Sequence, residues 1–345
     1  MRYSAVAVLL AGVLLGATVV AQTATDDPET AASPPAPAAP KARPKPPAAA
    51  PKPPARAAVP AQPIAKGECG NPELLNTSRQ LAVDTRGGLH IGQKSYPNTL
   101  ALADKEVILT FDDGPLPGPT DRVLAALEAE CVSATFFLIG KNAQAHPQLT
   151  RRIAELGHTL GHHSWSHPVR TLRGLSPAAA IEEIRRGIDA DQTAAYQTPW
   201  TGGPPVTPFF RFPGFADTPQ TKAWLDAHDI AVFGTDLWAS DWAMMTPEAQ
   251  LKLVMSRLEE TRGGIVLFHD TREQTARMLP AFLRRLKQEG YRVVHIVPRG
   301  AGNRLKAAPA GWSSETEEIL KRVMPRLLKT PPAGERAPAM PDMDG

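Results

Sequence analysis

The sequence predicts an α/β protein in which strands and helices alternate along most of the chain. Three observations carry that prediction. Seven short apolar runs lie between Val107 and Ile296, and amphipathic stretches separate them. The 345-residue chain is 42% hydrophobic, ample for a large core. Seven strands divided by helices read as a parallel βα array. Pattern alone fits either a closed or nearly closed barrel or an open doubly wound sheet.

The chain begins with an export signal. Arg2 supplies positive charge, Ala5 to Ala21 are apolar apart from Thr18, and Val19-Val20-Ala21 offers small residues at a cleavage position. Residues 1–21 therefore predict a signal peptide and a periplasmic or secreted protein. An uncleaved membrane anchor is the alternative, because the run lies at the short limit of a spanning helix. Residues 22–66 are a Pro/Ala/Lys segment without apolar periodicity, predicted to be a disordered, extended tether. At roughly 3.1 Å per residue it would reach on the order of 140 Å.

Cys69 and Cys131 fit an oxidising compartment, either bridged or as two inert buried thiols. The net charge of +3 lies in the flanks. Counting Lys and Arg against Asp and Glu, residues 1–21 carry +1, residues 22–66 carry +6 − 3 = +3, residues 67–300 carry +24 − 26 = −2, and residues 301–345 carry +7 − 6 = +1. A nucleic-acid-binding domain would concentrate its basic residues on a folded face, so that class is excluded. No protein partner is implied.

Leu81 to Tyr96 alternates around Gly87-Gly88 and predicts a small hairpin. The strands follow at Val107–Phe111, Ala134–Ile139, Thr159–His162, Pro208–Phe212, Ile230–Thr235, Gly264–Phe268 and Tyr291–Ile296. Helices are expected at Asp121–Glu130, Pro147–Leu156, Pro177–Ala195, Pro219–Ala227, Pro247–Glu260 and Ala276–Glu289. Ser176-Pro177, Thr218-Pro219 and Thr246-Pro247 mark three of their starts. No G-x-G-x-x-G follows the first strand, so nothing supports a dinucleotide site. Ser314–Leu328 opens with a Ser-x-x-Glu capping box (Ser314, Glu317) and predicts one helix, bent at Pro325, before a disordered end.

Chemistry concentrates where strands end. The first strand runs into Asp112-Asp113-Gly114-Pro115; two carboxylates there are costly unless a cation or hydrogen bonds compensate them. The third runs into His162-His163-Ser164-Trp165-Ser166-His167. His163 and His167 are four apart, so one helical turn would set both imidazoles on one side, as a metal site needs. No glutamate lies between them, so a base must come from elsewhere, and the Asp pair is the obvious source. His162 points differently and is read as a non-ligand. His269 ends the strand Gly264–Phe268. Arg211, Asp236 and Asp241-Trp242 follow other strands.

Taken in order, Thr110-Phe111-Asp112-Asp113-Gly114-Pro115, His163 to Pro168, Arg211-Phe212-Pro213, Asp241-Trp242 and Leu267-Phe268-His269 resemble the polysaccharide deacetylases of carbohydrate esterase family 4. The resemblance spans about Leu102 to Pro298. It implies a distorted (β/α)7 barrel as the catalytic domain, here residues 67–300, with residues 301–345 as a C-terminal helix and tail. It further implies a divalent metal, zinc or another such as cobalt or nickel, held by Asp113, His163 and His167. Asp112 becomes general base, kept ionised by Arg211, and His269 becomes general acid, oriented by Asp241. Trp242 and Leu267 would wall a pocket for the acetyl methyl. Where the family has tyrosine after R-x-P, this chain has Gly214, which keeps the backbone N–H used as oxyanion donor but opens the wall. Residues 199–208 form a loop placed to cover the groove. The activity implied is removal of N-acetyl groups from a peptidoglycan- or chitin-like glycan. An O-acetyl esterase and a catalytically silent glycan-binding protein are the alternatives, the last because fold alone proves no activity. Trp165, Trp200, Trp238 and Trp242 are candidates for stacking sugar rings.

Overall fold

The chain enters the fold through three short strands, β1 (Thr77–Val83), β2 (Leu89–Ile91) and β3 (Asn98–Leu100). The computed structural model describes residues 69–329; the predicted export segment and tether, and the tail beyond residue 329, lie outside the described residues. Four βα units follow: β4 (Glu106–Asp112) with α1 (Pro119–Ala129), β5 (Thr135–Leu138) with α2 (Gly140–Ala145) and α3 (Pro147–Glu155), β6 (Thr159–His162) with α4 (Pro177–Tyr196), and β7 (Phe209–Phe210) with α5 (Pro219–Ala227). The array continues with β8 (Ala231–Phe233), β9 (Leu237–Trp238), α6 (Pro247–Thr261), β10 (Gly264–His269), α7 (Glu273–Gln288) and β11 (Arg292–Pro298). β12 (Leu305–Ala307) and α8 (Glu315–Lys329) end it.

All seven anticipated strands form, and their pairings are parallel. β4 is buried along its whole length, as a strand flanked on both faces must be, which is why it reads as a continuous apolar run. From β4 the ladder runs through β5, β6 and β7 to β8. Only residues 234–236 then separate β8 from β9, and β9 pairs with β10, which returns to β4. The ring is thus closed by a bend in the chain rather than by an unbroken ladder, a distorted barrel. β9 is too short, at two residues, to register as a sequence pattern. The three Ser/Thr-Pro starts are helix caps: the hydroxyls of Ser176, Thr218 and Thr246 accept from Ala179, Thr221 and Ala249 N–H. No helix among the described residues is long and apolar enough to cross a membrane.

Two local expectations are corrected. The segment from Leu81 to Tyr96 is not a hairpin. β1 pairs with β11 and β2 with β8, at opposite ends of the strand order, so the two neighbours in sequence never pair. The intervening turn is fastened to α5 and its C-terminal end instead. Gly87 N–H donates to Asp229 Oδ1 (2.7 Å), His90 Nε2 meets Asp226 Oδ1 (2.9 Å), and a Cβ on Gly88 would strike the Asp226 carboxylate. The predicted capping box on α8 is only half made. Ser314 Oγ accepts from Glu317 N–H (3.1 Å), but the Glu317 carboxylate turns away to a bidentate pair with Arg173 (3.0 and 2.8 Å). A guanidinium fork outcompetes a single backbone N–H.

α8 belongs to the same unit as the barrel, and its Ile319 packs with Phe215, Trp238, Trp242 and Leu267. Cys69 and Cys131 are bridged, with Cα atoms 5.5 Å apart and a sequence separation of 62. Closing a loop of that length stabilises the fold by about 4 kcal/mol in the chain-entropy picture. Cys131→Ser is expected to lower the denaturant midpoint accordingly, and reduction of the native protein to do the same; an unchanged midpoint would remove the bridge from the stability of the fold.

Candidate active site and metal centre

The functional side chains share the C-terminal rim of the barrel because each follows or ends a parallel strand. Register does the finest placing: β10 pairs with β4 from Gly264 opposite Val107 to His269 opposite Asp112, so the acid and the imidazole stand side by side. Beyond Asp112 the chain turns at once. Asp113 has a left-handed φ of 77°, and a Cβ on Gly114 would lie 2.0 Å from Asp270 Oδ2, so only glycine fits.

Asp113, His163 and His167 each offer a ligand atom, and these atoms all lie within 4.8 Å of one another. Asp113 Oδ1 is 3.6 Å from Nε2 of each histidine. That oxygen is buried with no hydrogen-bond partner, a costly condition that a cation relieves. His163 Nδ1–H donates to the Arg211 carbonyl (2.8 Å), which leaves the Nε2 lone pair aimed at the cluster. Burial, helped by the charge of His167, drives His163 down to about 3, so it is the neutral ligand form. Burial alone would raise Asp113, but the surrounding charges, His167 and His269 foremost, outweigh it and hold the carboxyl at about 2. The donor set therefore fits a divalent cation.

The two histidines do not converge by a helical turn. Ser164 (φ 66°) and His167 (φ 49°) are left-handed, and the loop folds back on itself against α4. Trp165 N–H donates to Glu183 O (2.9 Å), and a Cβ on Gly187 would sit 2.6 Å from the Ser164 carbonyl carbon. His162 faces away, its Nδ1 2.8 Å from the buried Asp191, as a non-ligand should.

Arg211, fully buried, donates through Nη1 to Asp112 Oδ1 (2.7 Å) and Thr110 Oγ1 (2.9 Å), through Nη2 to Gly234 O (3.0 Å) and through Nε to Phe233 O (3.2 Å). The expected contact is present, yet it does not leave Asp112 with an ordinary acidity. Burial pushes its pKa to about 6, against the opposing charges of Arg211 and His269. His269 shows the reverse balance. Burial favours the neutral ring, but the charge and hydrogen bond of Asp241 (Nδ1 to Oδ1, 2.8 Å) lift it to about 9. Asp241 is itself fixed by His269 N–H (2.6 Å) and Thr275 Oγ1 (2.7 Å).

One cavity of about 30 Å³ joins Asp112, the three candidate ligands, His269, Gly214, Trp242 and Leu267. Phe212, which the sequence shows only as part of a motif, lines it too, as do Phe215 and Arg272, neither of which was singled out by the sequence. Arg272 lies three residues past His269, which is the only signal that pointed to it. Its Nε is buried without a hydrogen-bond partner. Of the other tryptophans, Trp238 is buried behind Trp242 (ring centroids 5.9 Å apart). Trp165 lies under the Arg186 guanidinium (4.3 Å), and Trp200 packs edge-on to Trp224 (6.0 Å). The 199–208 loop does not cover this cavity: Trp200 N–H donates to Asp189 and Val206 N–H to Gln192, both on α4, and no residue of the loop lines it. Asp236 is likewise structural, accepting from Gln93 N–H, Ile265 N–H and Thr99 Oγ1.

A family model described as polysaccharide deacetylase matches residues 100–230, which include the Asp112, His163 and Arg211 motifs. Over 196 residues the chain is 33% identical to the peptidoglycan-N-acetylglucosamine deacetylase PgdA of Listeria monocytogenes, covering 57% of this chain but 39% of that protein. The chain thus spans about two-fifths of that relative's length. A peptidoglycan-N-acetylglucosamine deacetylase of Bacillus cereus is 31% identical over 202 residues, 56% of this chain and 87% of its own length. Among solved structures, a Bdellovibrio bacteriovorus peptidoglycan deacetylase superposes with a TM-score of 0.57 at 30% identity, covering 69% of this chain and 64% of that one. A likeness running through nearly the whole of the Bacillus cereus protein is one of common descent, and the chain belongs to the polysaccharide deacetylase family.

Proposed function

We propose that the protein is a metal-dependent N-deacetylase that removes acetyl groups from N-acetylhexosamine units of a glycan polymer. The observation that carries this reading is the strand register that sets Asp112 and His269 side by side beside the Asp113–His163–His167 cradle. Zinc suits that set of two imidazoles and one carboxylate, with cobalt or nickel as alternatives. When bound, such a cation supplies Lewis acidity, lowering the pKa of a water from about 15.7 towards ~7 and offsetting charge on the amide oxygen.

The chain's own residues do the rest. Asp112, fixed by Arg211, accepts a proton from the water that attacks the amide carbon. Gly214 lines the cavity, and its backbone N–H is the candidate donor to the developing oxyanion. His269, held protonated by Asp241, donates to the amine nitrogen as the C–N bond breaks, releasing acetate and the free amino sugar. That protonated imidazole supports an amide over an O-acetyl ester, because an amine is a poor leaving group until it is protonated.

Among polymers, Arg272 supports one that carries carboxylates, as peptidoglycan does in its lactyl groups and peptide stems. A partly buried guanidinium that lines the cavity complements an anionic group of the substrate. The relatives named for peptidoglycan agree with that choice. The disulfide and an envelope polymer together support an extracytoplasmic location.

Acetate release by the full chain on N-acetylglucosamine oligomers, peptidoglycan and an O-acetylated xylan is the primary test. Chelation should abolish release from the amino-sugar substrates and zinc should restore it; release from xylan alone would make the protein an esterase. Asp112→Asn should cut release roughly 10²–10⁴-fold while glycan binding persists. Undiminished release would remove Asp112 from the base role. The pH profile of kcat/KM should rise as Asp112 loses its proton and fall as His269 loses its own, from about 6 and about 9 without metal, the bound cation moving both limbs lower because it favours the carboxylate and opposes the imidazolium. Asp241→Asn removes the charge that lifts His269, so its alkaline limb should fall to lower pH, and a limb that stays in place would break that pairing. Arg272→Gln should raise KM for peptidoglycan more than for the neutral oligomers; equal changes would remove Arg272 from substrate choice.

A further inference from the structure

α8 lies beyond both the family-matched residues and the stretch that carries the five motifs, yet it is built into the wall of the catalytic cavity. Its buried Ile319 does not touch the cavity itself. It packs in one cluster with Phe215, Trp242 and Leu267, which do, and with Trp238 directly behind Trp242. The indole N–H groups of Trp238 and Trp242 are buried without a hydrogen-bond partner, so no hydrogen bond fixes either ring; packing holds Trp242, and Trp238 also carries the Lys94 ammonium 5.0 Å from its centroid. Trp242 in turn meets His269 edge to face, with centroids 6.0 Å apart.

Polar contacts hold the helix at that place. Thr316 N–H donates to Lys94 O (3.0 Å) and Thr316 Oγ1 to Ser95 Oγ (3.1 Å). The Glu317–Arg173 pair continues through Arg173 Nε to the Asp217 carbonyl (2.8 Å), at the end of the turn that carries Gly214 and Phe215. A second cluster, Leu320 and Met324 against Ala216, grips the outside of the same turn, and only the half-buried Val323 packs against both clusters.

We infer that α8 is the outer wall of the acyl pocket and that Ile319 is a positioning residue whose bulk, packed into one cluster with Trp242, Leu267 and Phe215, sets the size of acyl group the pocket accepts. This rests on the deacetylase reading. Interiors pack closely, so shortening Ile319 leaves a void behind the wall into which the rings relax, widening the pocket on its other side. One added methylene in an apolar pocket commonly changes kcat/KM by tenfold or more, so the expected change is large enough to read.

The experiment compares N-acetyl and N-propionyl forms of one glucosamine oligomer, with the zinc-loaded full chain. Ile319→Ala should raise the propionyl-to-acetyl ratio of kcat/KM about tenfold, mainly by gain on propionyl. Met324→Ala shortens a buried side chain on the same helix but in the second cluster; it should lower the melting temperature as well and leave the ratio where it is. Ile319→Val, the milder change, should move the ratio in the same direction and serves if Ile319→Ala does not fold. A ratio unmoved by both Ile319 variants, or moved equally by Met324→Ala, would overturn the inference while leaving the deacetylase reading intact. No acid released from either amide by the unaltered protein would instead overturn that reading, and the inference with it.

Discussion

The site depends on one buried cation. Arg211 is inaccessible to solvent, and an unpaired charge in such a place costs several kcal/mol even after relaxation. It is tolerated because its donors are occupied: by a carboxylate and a hydroxyl on β4, and by the carbonyls of Phe233 and Gly234 where the chain leaves β8. Its guanidinium also lies 4.2 Å from the Phe137 ring on β5. Its own carbonyl receives His163 Nδ1–H, which fixes the tautomer of a candidate ligand. One residue therefore spans the barrel interior and ties the Asp112 side of the site to its metal side. A lysine could supply the charge but not the fork that reaches four acceptors at once.

Around that cation, two adjacent carboxylates are driven apart. Asp112 is buried and Asp113 beside it half-buried, yet burial lifts the first to about 6 while the surrounding charges hold the second at about 2. Asp112 has a single strong ion pair against a large desolvation cost, whereas Asp113 faces several cationic groups at once. Environments that separate the acidities of neighbouring groups are a means of giving like residues unlike tasks. His269 continues the pattern: its buried aspartate partner lifts it above the ordinary imidazole range.

Much of this was legible in the sequence, and the physical reason is burial. β4 and β10 are covered on both faces, so they read as apolar runs, and the titratable residues that end them stood out against that background. The Asp112–Arg211 and His269–Asp241 contacts, the Asp113–His163–His167 cluster and the lining by Trp242, Leu267 and Gly214 followed from the family motifs. What stayed hidden depends on where chain segments go rather than on what they contain. The alternation of Leu81, Val83, Leu89 and Ile91 is the same whether two strands pair with each other or with distant partners. The left-handed turns at Ser164 and His167 leave no mark in residue type. Arg272 and Ile319 reach the site or its wall only once helices have docked, and Glu317 changes partner only because Arg173 arrives from 144 residues away.

The placement of β1 bears on how the chain must come to be folded. Thr77 lies beside Val293, so the first strand of the structure waits for one of the last before either is complete. Such distant pairing is slow to find, because a long loop must close before any contact rewards it. A polypeptide delivered with its N-terminus first, from a ribosome or through a membrane pore, holds β1 without its neighbour until nearly all of the barrel has emerged. During that interval the Cys69–Cys131 bridge can already form, since both halves lie early in the chain, and it would keep β1 near the α1 end of the barrel until β11 arrives.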